Sequence, residues 1–400
     1  MSSRLRALLI DANGFGRVAS IIDTTMHGVL GISEDAKIPF GLDRLFIIRM
    51  LFGKRYEHLG YVRDWRDAFI GSPELEVTCC NLLNRVQVAE HMRNVRDYDL
   101  IVILHSAAGD RMGPIMRLIP KLQERTGKLV VFLGNEHDLV ASKKNFLRQS
   151  GAEHVCTQLR LDTGMWLYED CPDAQVVSMP HALNPEIYHP QGSERTTDVG
   201  FVGALYDRLV GDRERTDVVE YFQEHGERLG LHCDIRLRMG NLMTKHRNLV
   251  RNDWCGFLSV CRAIAGAEAG SHWIDQTGER IASAKAYLQD HPLATFEEVH
   301  GRFYNTEPGP FSGKCVSSRH FEPLGTKTCQ VLVRGHYNGL LEAGTHYIPV
   351  HADLSDIDQA VAQLKDEQQV EGIREAGYEY AMDCHTHAHR VADLVRQIRG

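Results

Sequence analysis

The sequence predicts an α/β protein built from two doubly wound halves, each a parallel sheet with helices on its faces. Three observations lead there. Short runs rich in Val, Ile and Leu recur along the chain without strict alternation, as strands buried on both faces tend to do. Longer helical patterns separate them, and strand, helix, strand in repetition implies right-handed parallel crossovers. Midway, Pro180 to Pro190 and the polar QGSERTT that follows break the series and read as a linker.

In the first half the strands are expected at Arg6–Ala12, Leu75–Asn81, Asp99–His105, Lys128–Gly134, Glu153–Gln158 and Ala174–Met179, with helices over Gln87–Asp97 and Gly113–Thr126 among the connections. A second series begins at Asp198–Gly203. It continues through His232–Met239, Cys255–Cys261, Cys329–Val333 and His346–Val350. Residues 262–310 fit the repeat poorly and read as an insertion, with a helix near Thr277–Asp290. Val370–Arg399 is a long helical pattern broken near Cys384. The division that follows is 1–180, a linker at 181–197, a second domain at 198–378 and a terminal helix at 379–400.

Size and charge narrow the class. Four hundred residues fit about two domains by the usual length prior. A net charge of −8 argues against a protein built to grip nucleic-acid backbones. No run of eighteen apolar residues occurs, so no membrane span is expected. The opening MSSRLRALLIDANGFG is too short in its apolar part for a secretory signal. Ten cysteines without a CxxC pair read as buried thiols of a reduced, cytoplasmic protein.

The chemistry concentrates in Val316–Val333, VSSRHFEPLGTKTCQVLV. Ser317, Ser318 and Arg319 fall at a strand-to-helix corner, with Glu322 one turn on. A carboxylate there suits two ribose hydroxyls, and Arg319, Lys327, Thr328 and helix-start amides suit a diphosphate. The competing reading is an Arg319–Glu322 pair inside a capping network. Next, Gly335, Tyr337 and Asn338 lie in RGHYNGLL, a turn whose amides can reach base or phosphate. Gly203 and Arg208 belong to DVGFVGALYDR, a strand and glycine loop leading into a helix. In the first half His105 and Glu136 follow strand ends, where a cleft-facing group orients or deprotonates an acceptor hydroxyl; Asn135 and Asp138 there read equally as caps of a helix starting near Leu139. The glycine-containing loop Asn13–Asp23 falls short of a dinucleotide fingerprint. His385 and His389 share a helical face, the geometry of a zinc pair. Lys143-Lys144 and Lys245-His246-Arg247 read as solvated basic faces.

The wording of Val316–Val350 resembles the C-terminal part of GT-B glycosyltransferases, in particular the family-1-like domain of CgeB-like proteins. The resemblance implies the GT-B architecture: two Rossmann-like domains facing a cleft, with a last helix that crosses back. It places Glu322 where the second acid of the two-acid motif meets the ribose. The position eight residues earlier is Lys314, so the first acid has no counterpart. Near the C-terminus it assigns His385, Thr386 and Arg390 to the end of the domain rather than to a metal. The implied activity is transfer of a sugar from a nucleoside diphosphate sugar, UDP- or GDP-linked, to an acceptor hydroxyl, without a metal or a permanently bound cofactor. The acceptor, whether glycan, lipid, small metabolite, protein or modified DNA base, is left open. So are a sugar-nucleotide epimerase and a non-catalytic nucleotide-sugar-binding protein. Asp353, Asp356 and Asp358 read as helix caps rather than a metal-binding DxD.

Overall fold

Six strands make the sheet of the first unit: β1 (Leu5–Asp11), β2 (Leu75–Asn81), β3 (Leu100–Ile103), β4 (Lys128–Phe132), β5 (His154–Thr157) and β6 (Gln175–Ser178). Their order is β2-β1-β3-β4-β5-β6, with parallel pairing from β2 through β5. Each begins within about two residues of its expected place. Ala7–Ile10, Leu100–Ile103 and Leu129–Phe132 are at most 1% exposed, so these strands are covered on both faces, which is why their sequences run apolar instead of alternating. The helix Gly60–Ile70 supplies part of that cover, setting Trp65 and Phe69 on Phe132 at 5.0 and 5.9 Å between ring centres.

This computed structural model describes residues 3–12, 60–237, 249 and 251–400. The loop Asn13–Asp23, the cluster Lys245–Arg247 and the end of the strand expected at His232–Met239 lie outside the described residues. The chain divides into two compact units, Met1–Thr157 with Tyr168–Val177 and Val391–Gly400, and Gln158–Leu167 with Ser178–Arg390. The last ten residues thus return to the first unit, where Lys128 Nζ donates to the Ile398 carbonyl at 2.5 Å and Arg399 pairs with Glu74 at 3.2 Å. No helix among the described residues is long and apolar enough to cross a membrane. All ten cysteines are free thiols, seven of them buried.

The second unit holds β7 (Thr197–Gly203), β8 (Cys233–Leu237), β9 (Cys261–Gly266), β10 (Cys329–Val333) and β11 (Ile348–Val350), in the order β11-β10-β9-β7-β8 and parallel throughout. The strand expected at Cys255–Cys261 is instead a helix, Asn252–Ser259, and β9 follows it. Trp254, Cys255, Phe257 and Leu258 are all buried, and a short apolar run does not distinguish a buried helix face from a buried strand. The central strand β9 therefore occupies the opening of the segment read as an insertion. Beyond it, Glu279–Asp290 and Phe296–Phe303 are helices around a small core of Ala284, Ala294, Val299 and Tyr304. The second of these is announced by a Thr295/Glu298 capping box. Over Gly113–Thr126 the expected single helix is two four-residue pieces, Gly113–Met116 and Ile119–Leu122, each with a proline in its first turn. The terminal pattern divides as expected, into Glu367–Cys384 and His387–Arg399.

Lys143 and Lys144 do not form a solvated face. Both are buried in the helix Val140–Ser150. The Lys143 ammonium donates to the carbonyls of Gly134, Asn135 and Asp138 at 2.6–2.7 Å, and Lys144 meets Asp170 at 3.1 Å. Lys143 thus replaces the missing ladder partners of the turn after β4, the turn that carries Glu136. Lys143→Met should cost about 2–4 kcal/mol, because three buried acceptors lose their donor. The check is a lower urea midpoint at unchanged m-value; an unmoved midpoint would show that the clamp carries no stability.

Candidate functional site

In the second sheet the chain passes from β7 outward to β8 and then returns to the other side of β7 to form β9. The carboxyl ends of β7 and β9 therefore flank a topological switch point, where loops diverge and leave a crevice. Three loops and one helix start gather there: residues 204–213 after β7, 267–271 after β9, 334–338 after β10, and the helix Ser318–Gly325 that feeds β10.

Side chains tie these pieces together. Glu268, just past β9 and buried, accepts the amides of His336 and Tyr337 at 3.0 and 2.6 Å. A Cβ on Gly335 would lie 2.4 Å from Glu268 Oε2, so the close approach of this loop requires glycine. Tyr337 is buried and donates its hydroxyl to the Val333 carbonyl at 2.6 Å. Asn338 stands at φ 56° and spans two segments, accepting the Val316 amide at 2.7 Å and donating to the Gln158 carbonyl at 2.9 Å.

At the helix start, Ser317 is the cap and Ser318 the first helical residue. His320 completes the cap: its Nδ1 accepts the Ser317 amide at 2.9 Å, and Nε2 donates to the Ala267 carbonyl at 3.1 Å. With both nitrogens so used the ring is neutral, and burial, reinforced by the nearby Arg215 guanidinium, pushes its pKa down to about 4. One turn on, Glu322 is buried. Its Oε2 accepts the Trp254 indole N–H at 2.7 Å, with Arg319 at 3.7 Å. The Arg319 guanidinium lies over the Trp254 ring at 4.0 Å and donates to the Leu249 carbonyl at 3.3 Å.

The other expected residues are placed as follows. Gly203 ends β7. Arg208 donates to the carbonyls of Pro292 and Ala294 at 3.1 and 2.8 Å, tying the loop after β7 to the segment ahead of Phe296–Phe303. Lys327 pairs with Glu375 at 2.6 Å, and Thr328 donates to the Leu258 carbonyl at 2.8 Å. Those two precede β10, whereas the crevice lies at its far end, about 15 Å away at 3.3 Å per residue. In the first unit, His105 follows β3 with its ring among Tyr61, Trp65 and Phe132, whose ring centres lie 5.8, 6.0 and 5.2 Å away. Glu136 is buried, and one oxygen accepts both the Thr157 and Tyr168 hydroxyls, at 2.7 and 2.8 Å. Burial and that carboxylate hold the Tyr168 hydroxyl well above its usual pKa.

A small pocket opens at the switch point, with Tyr206, Asp207, Asp212, Arg215, Glu268 and Lys314 in its lining. Of these charged groups, sequence reasoning noted only that Lys314 is not an acid. Lys314 is buried, with Asp212 at 2.5 Å and Glu214 at 2.7 Å; His272 meets the other oxygen of Glu214 at 3.0 Å. Burial alone would raise the Glu214 pKa, but His272 and Lys314 more than offset it and bring it to about 2. Asp212, Glu214 and His272 also form the one grouping of metal-ligand type among the described residues. Its cation position is already served by an ammonium. At the C-terminus, His385 Nδ1 accepts from Arg390 at 2.8 Å, and His389 Nδ1 faces Thr386 at 2.9 Å, so the two histidines considered for zinc are engaged locally.

The model of the glycosyl transferase-like family matches residues 259–396, about a third of the chain and nearly all within the second unit. No curated protein matches the chain by sequence. Among solved structures, HepE of Anabaena, in complex with UDP and glucose, is similar over 99% of this chain and 100% of its own, at 12% identity and a TM-score of 0.50. The DNA-modifying enzyme β-glucosyltransferase is similar over 98% and 99%, at 10% identity and a TM-score of 0.51. Identities this low speak to the fold, which is GT-B in both sheets and their connections.

Burial of neutral histidines gives the stability a predictable slope with pH. His181 is pushed down to about 3, and His320 and His385 to about 4, chiefly by burial. Below the ordinary histidine value of about 6.5 the unfolded chain takes up protons that these groups refuse. Stability should therefore fall as pH drops from about 6.5 toward 4, by up to about 1.4 kcal/mol per pH unit for each group. Urea titrations at pH 7.5, 6.0 and 5.0 check this; a flat profile would show that the rings are already protonated in the fold. Family match and fold agree: residues 259–396 match the glycosyl transferase-like family, and the chain has the GT-B fold.

Proposed function

We propose that the second unit binds a nucleoside diphosphate sugar at the carboxyl ends of β7, β9 and β10, and that the chain passes the sugar to an acceptor hydroxyl. The carrying observation is the helix start at Ser317–Glu322. It is pinned to the end of β9 through His320 and bears a buried carboxylate one turn in. In this reading Glu322 accepts the ribose hydroxyls, its orientation fixed by the Trp254 indole. The helix-start amides around Ser318, with Arg319 at their rim, take the diphosphate. Asn338, Tyr337 and Gly335 shape the neighbouring turn through backbone and amide contacts.

The acceptor oxygen bonds to the anomeric carbon as the bond from that carbon to the diphosphate oxygen breaks. The acceptor proton leaves to a base or to the departing phosphate. Charge grows on the diphosphate, and preorganised N–H donors stabilise it most at that moment. In the first unit, His105 and Glu136 are the acceptor-side candidates. Glu136, with two hydroxyls donating to one oxygen, is suited to orienting rather than to taking the proton. The two similar structures were solved with UDP and glucose and with uridine diphosphoglucose, which puts uridine nucleotides first in any donor panel. Metal-free transfer is supported by Lys314, which holds the acidic loop that a divalent ion would otherwise claim.

Two measurements test this. A panel of UDP, GDP, dTDP, ADP and CMP should contain a ligand that raises the melting temperature, worth about 2.7 kcal/mol at a hundred times its dissociation constant. Glu322→Gln should weaken that ligand by roughly 1.5–3 kcal/mol, on the order of ten- to a hundred-fold. The 2′-deoxy analogue should lose the same affinity on the parent chain and little more on the variant. Unchanged affinity with an earlier melt would make Glu322 a structural partner of Trp254 only. Separately, turnover should survive EDTA; activity lost to the chelator and restored by Mn²⁺ would overturn the metal-free reading.

A further inference from the structure

The carboxylate and the indole of the ribose reading stand on two short helices, Ser318–Gly325 and Asn252–Ser259. Helices of this length are marginal on their own, so tertiary ties must set where they lie. Ser318–Gly325 also contains Pro323, which lacks the N–H that the Arg319 carbonyl would accept within the helix. Its start is tied to the end of β9 through His320. Its far end is tied to the far end of Asn252–Ser259, and the tie comes from the polar stretch that precedes β7.

Arg195 is the centre of that tie. One guanidinium nitrogen reaches the Leu258 carbonyl at 3.4 Å, the Cys261 carbonyl and the Thr328 hydroxyl at 3.2 Å. The other donates to the carbonyls of Thr326 and Lys327 at 3.0 and 2.7 Å. Leu258 belongs to the last turn of one helix, and Thr326 and Lys327 directly follow the other. Carbonyls there lack a partner within their helix and carry the negative end of its dipole, so a planar, two-armed cation serves both ends at once. Thr328 closes the figure by donating to the Leu258 carbonyl at 2.8 Å. Upstream, Gln191 donates to the Cys255 thiol at 3.2 Å. A Cβ on Gly325 would lie 2.5 Å from both the Leu183 side chain and the Tyr188 carbonyl, so this stretch also lies directly against the end of Ser318–Gly325. The two helices meet once more where the Trp254 indole donates to Glu322 at 2.7 Å. Glu322 stands four residues before Thr326, about 6 Å along the helix axis.

We infer that Arg195 is a positioning residue for nucleotide binding. It sets the gap between the two helix ends, which holds Glu322 against Trp254 and aims the carboxylate at the ribose hydroxyls. The inference rests on the donor reading above and adds to it a residue that touches no ligand. Arg195 lies where β7, β9 and β10 begin, at the opposite edge of the sheet from the crevice. Lysine cannot replace it, because a single ammonium is a point charge that does not span two sets of carbonyls.

The test is titration calorimetry on the full chain, well below its melt, with UDP, GDP and their 2′-deoxy forms. The quantity read is the ratio of ribo to deoxy affinity, which a purely structural role would not move. The parent should favour one ribonucleotide by about ten-fold or more, and Arg195→Lys should cut that preference by about three-fold or more while holding the deoxy form within about two-fold. Thr328→Val removes one hydroxyl link and keeps the guanidinium; it should shift the ratio the same way by less, and it decides the matter should Arg195→Lys fail to fold. Lys143→Met lowers stability from the first sheet and should leave the ratio unchanged. A parent-like ratio in Arg195→Lys, or in Thr328→Val where that variant decides, overturns the inference and leaves the donor reading standing. A ratio that shifts equally in Lys143→Met assigns the change to lost stability and also overturns it. A parent that binds ribo and deoxy forms alike, or binds neither, overturns the donor reading and the inference with it.

Discussion

The second unit depends on what happens at the last turn of β9. Its exit, Ala267-Glu268, receives a bond from each neighbouring piece: the Ala267 carbonyl from His320, the Glu268 carboxylate from His336 and Tyr337, and the Glu268 carbonyl from Arg215. Parallel sheets leave their loops at one edge with backbone groups that no strand can satisfy, so something else must pair them. Here one buried acid and one neutral histidine do so for three separate loops. The arrangement fixes the helix start at Ser318, and with it the direction of its first amides.

That solution carries a cost in buried charge. Lys314 and Lys143 are both nearly or wholly inaccessible, and an isolated buried ammonium would be strongly unfavourable. Each is compensated differently. Lys314 has two carboxylates, which raise its pKa against the effect of burial. Lys143 has three carbonyl oxygens of a single turn. The first is an electrostatic device that orients a polar pocket; the second is a geometric one that holds irregular backbone after β4. Removing either partner set would leave the charge stranded, so each cluster behaves as a unit rather than as separable bonds.

Much of the fold was legible because a parallel strand buried on both faces has a distinctive composition. All six strands of the first sheet and four of the five in the second fall on runs read as strands. Legibility failed where one physical cause has two local outcomes. Trp254 to Leu258 is apolar because it is buried, and burial alone does not select strand over helix. Lys143-Lys144 was read by residue type, whereas its surroundings are set by carbonyls brought in by tertiary structure. At the site, Glu322, Gly335 and Asn338 stood out through motif wording. Glu268, Asp212 and Arg215 did not, because their importance arises from strand ends far apart in sequence.

Two regions of opposite character therefore adjoin at the carboxyl edge of one sheet. The helix start at Ser317 presents N–H groups, the positive end of the helix dipole, with Arg319 beside it. The pocket between β7 and β9 presents more carboxylate than cation. A molecule with an anionic diphosphate joined to a neutral ring of hydroxyls is itself divided in this way. Binding it in the reverse sense would bring the diphosphate against Asp207, Asp212 and Glu268 and leave the helix amides to hydroxyls that need no positive field. On the donor reading proposed above, charge would set the direction in which such a ligand enters, before any single hydrogen bond discriminates.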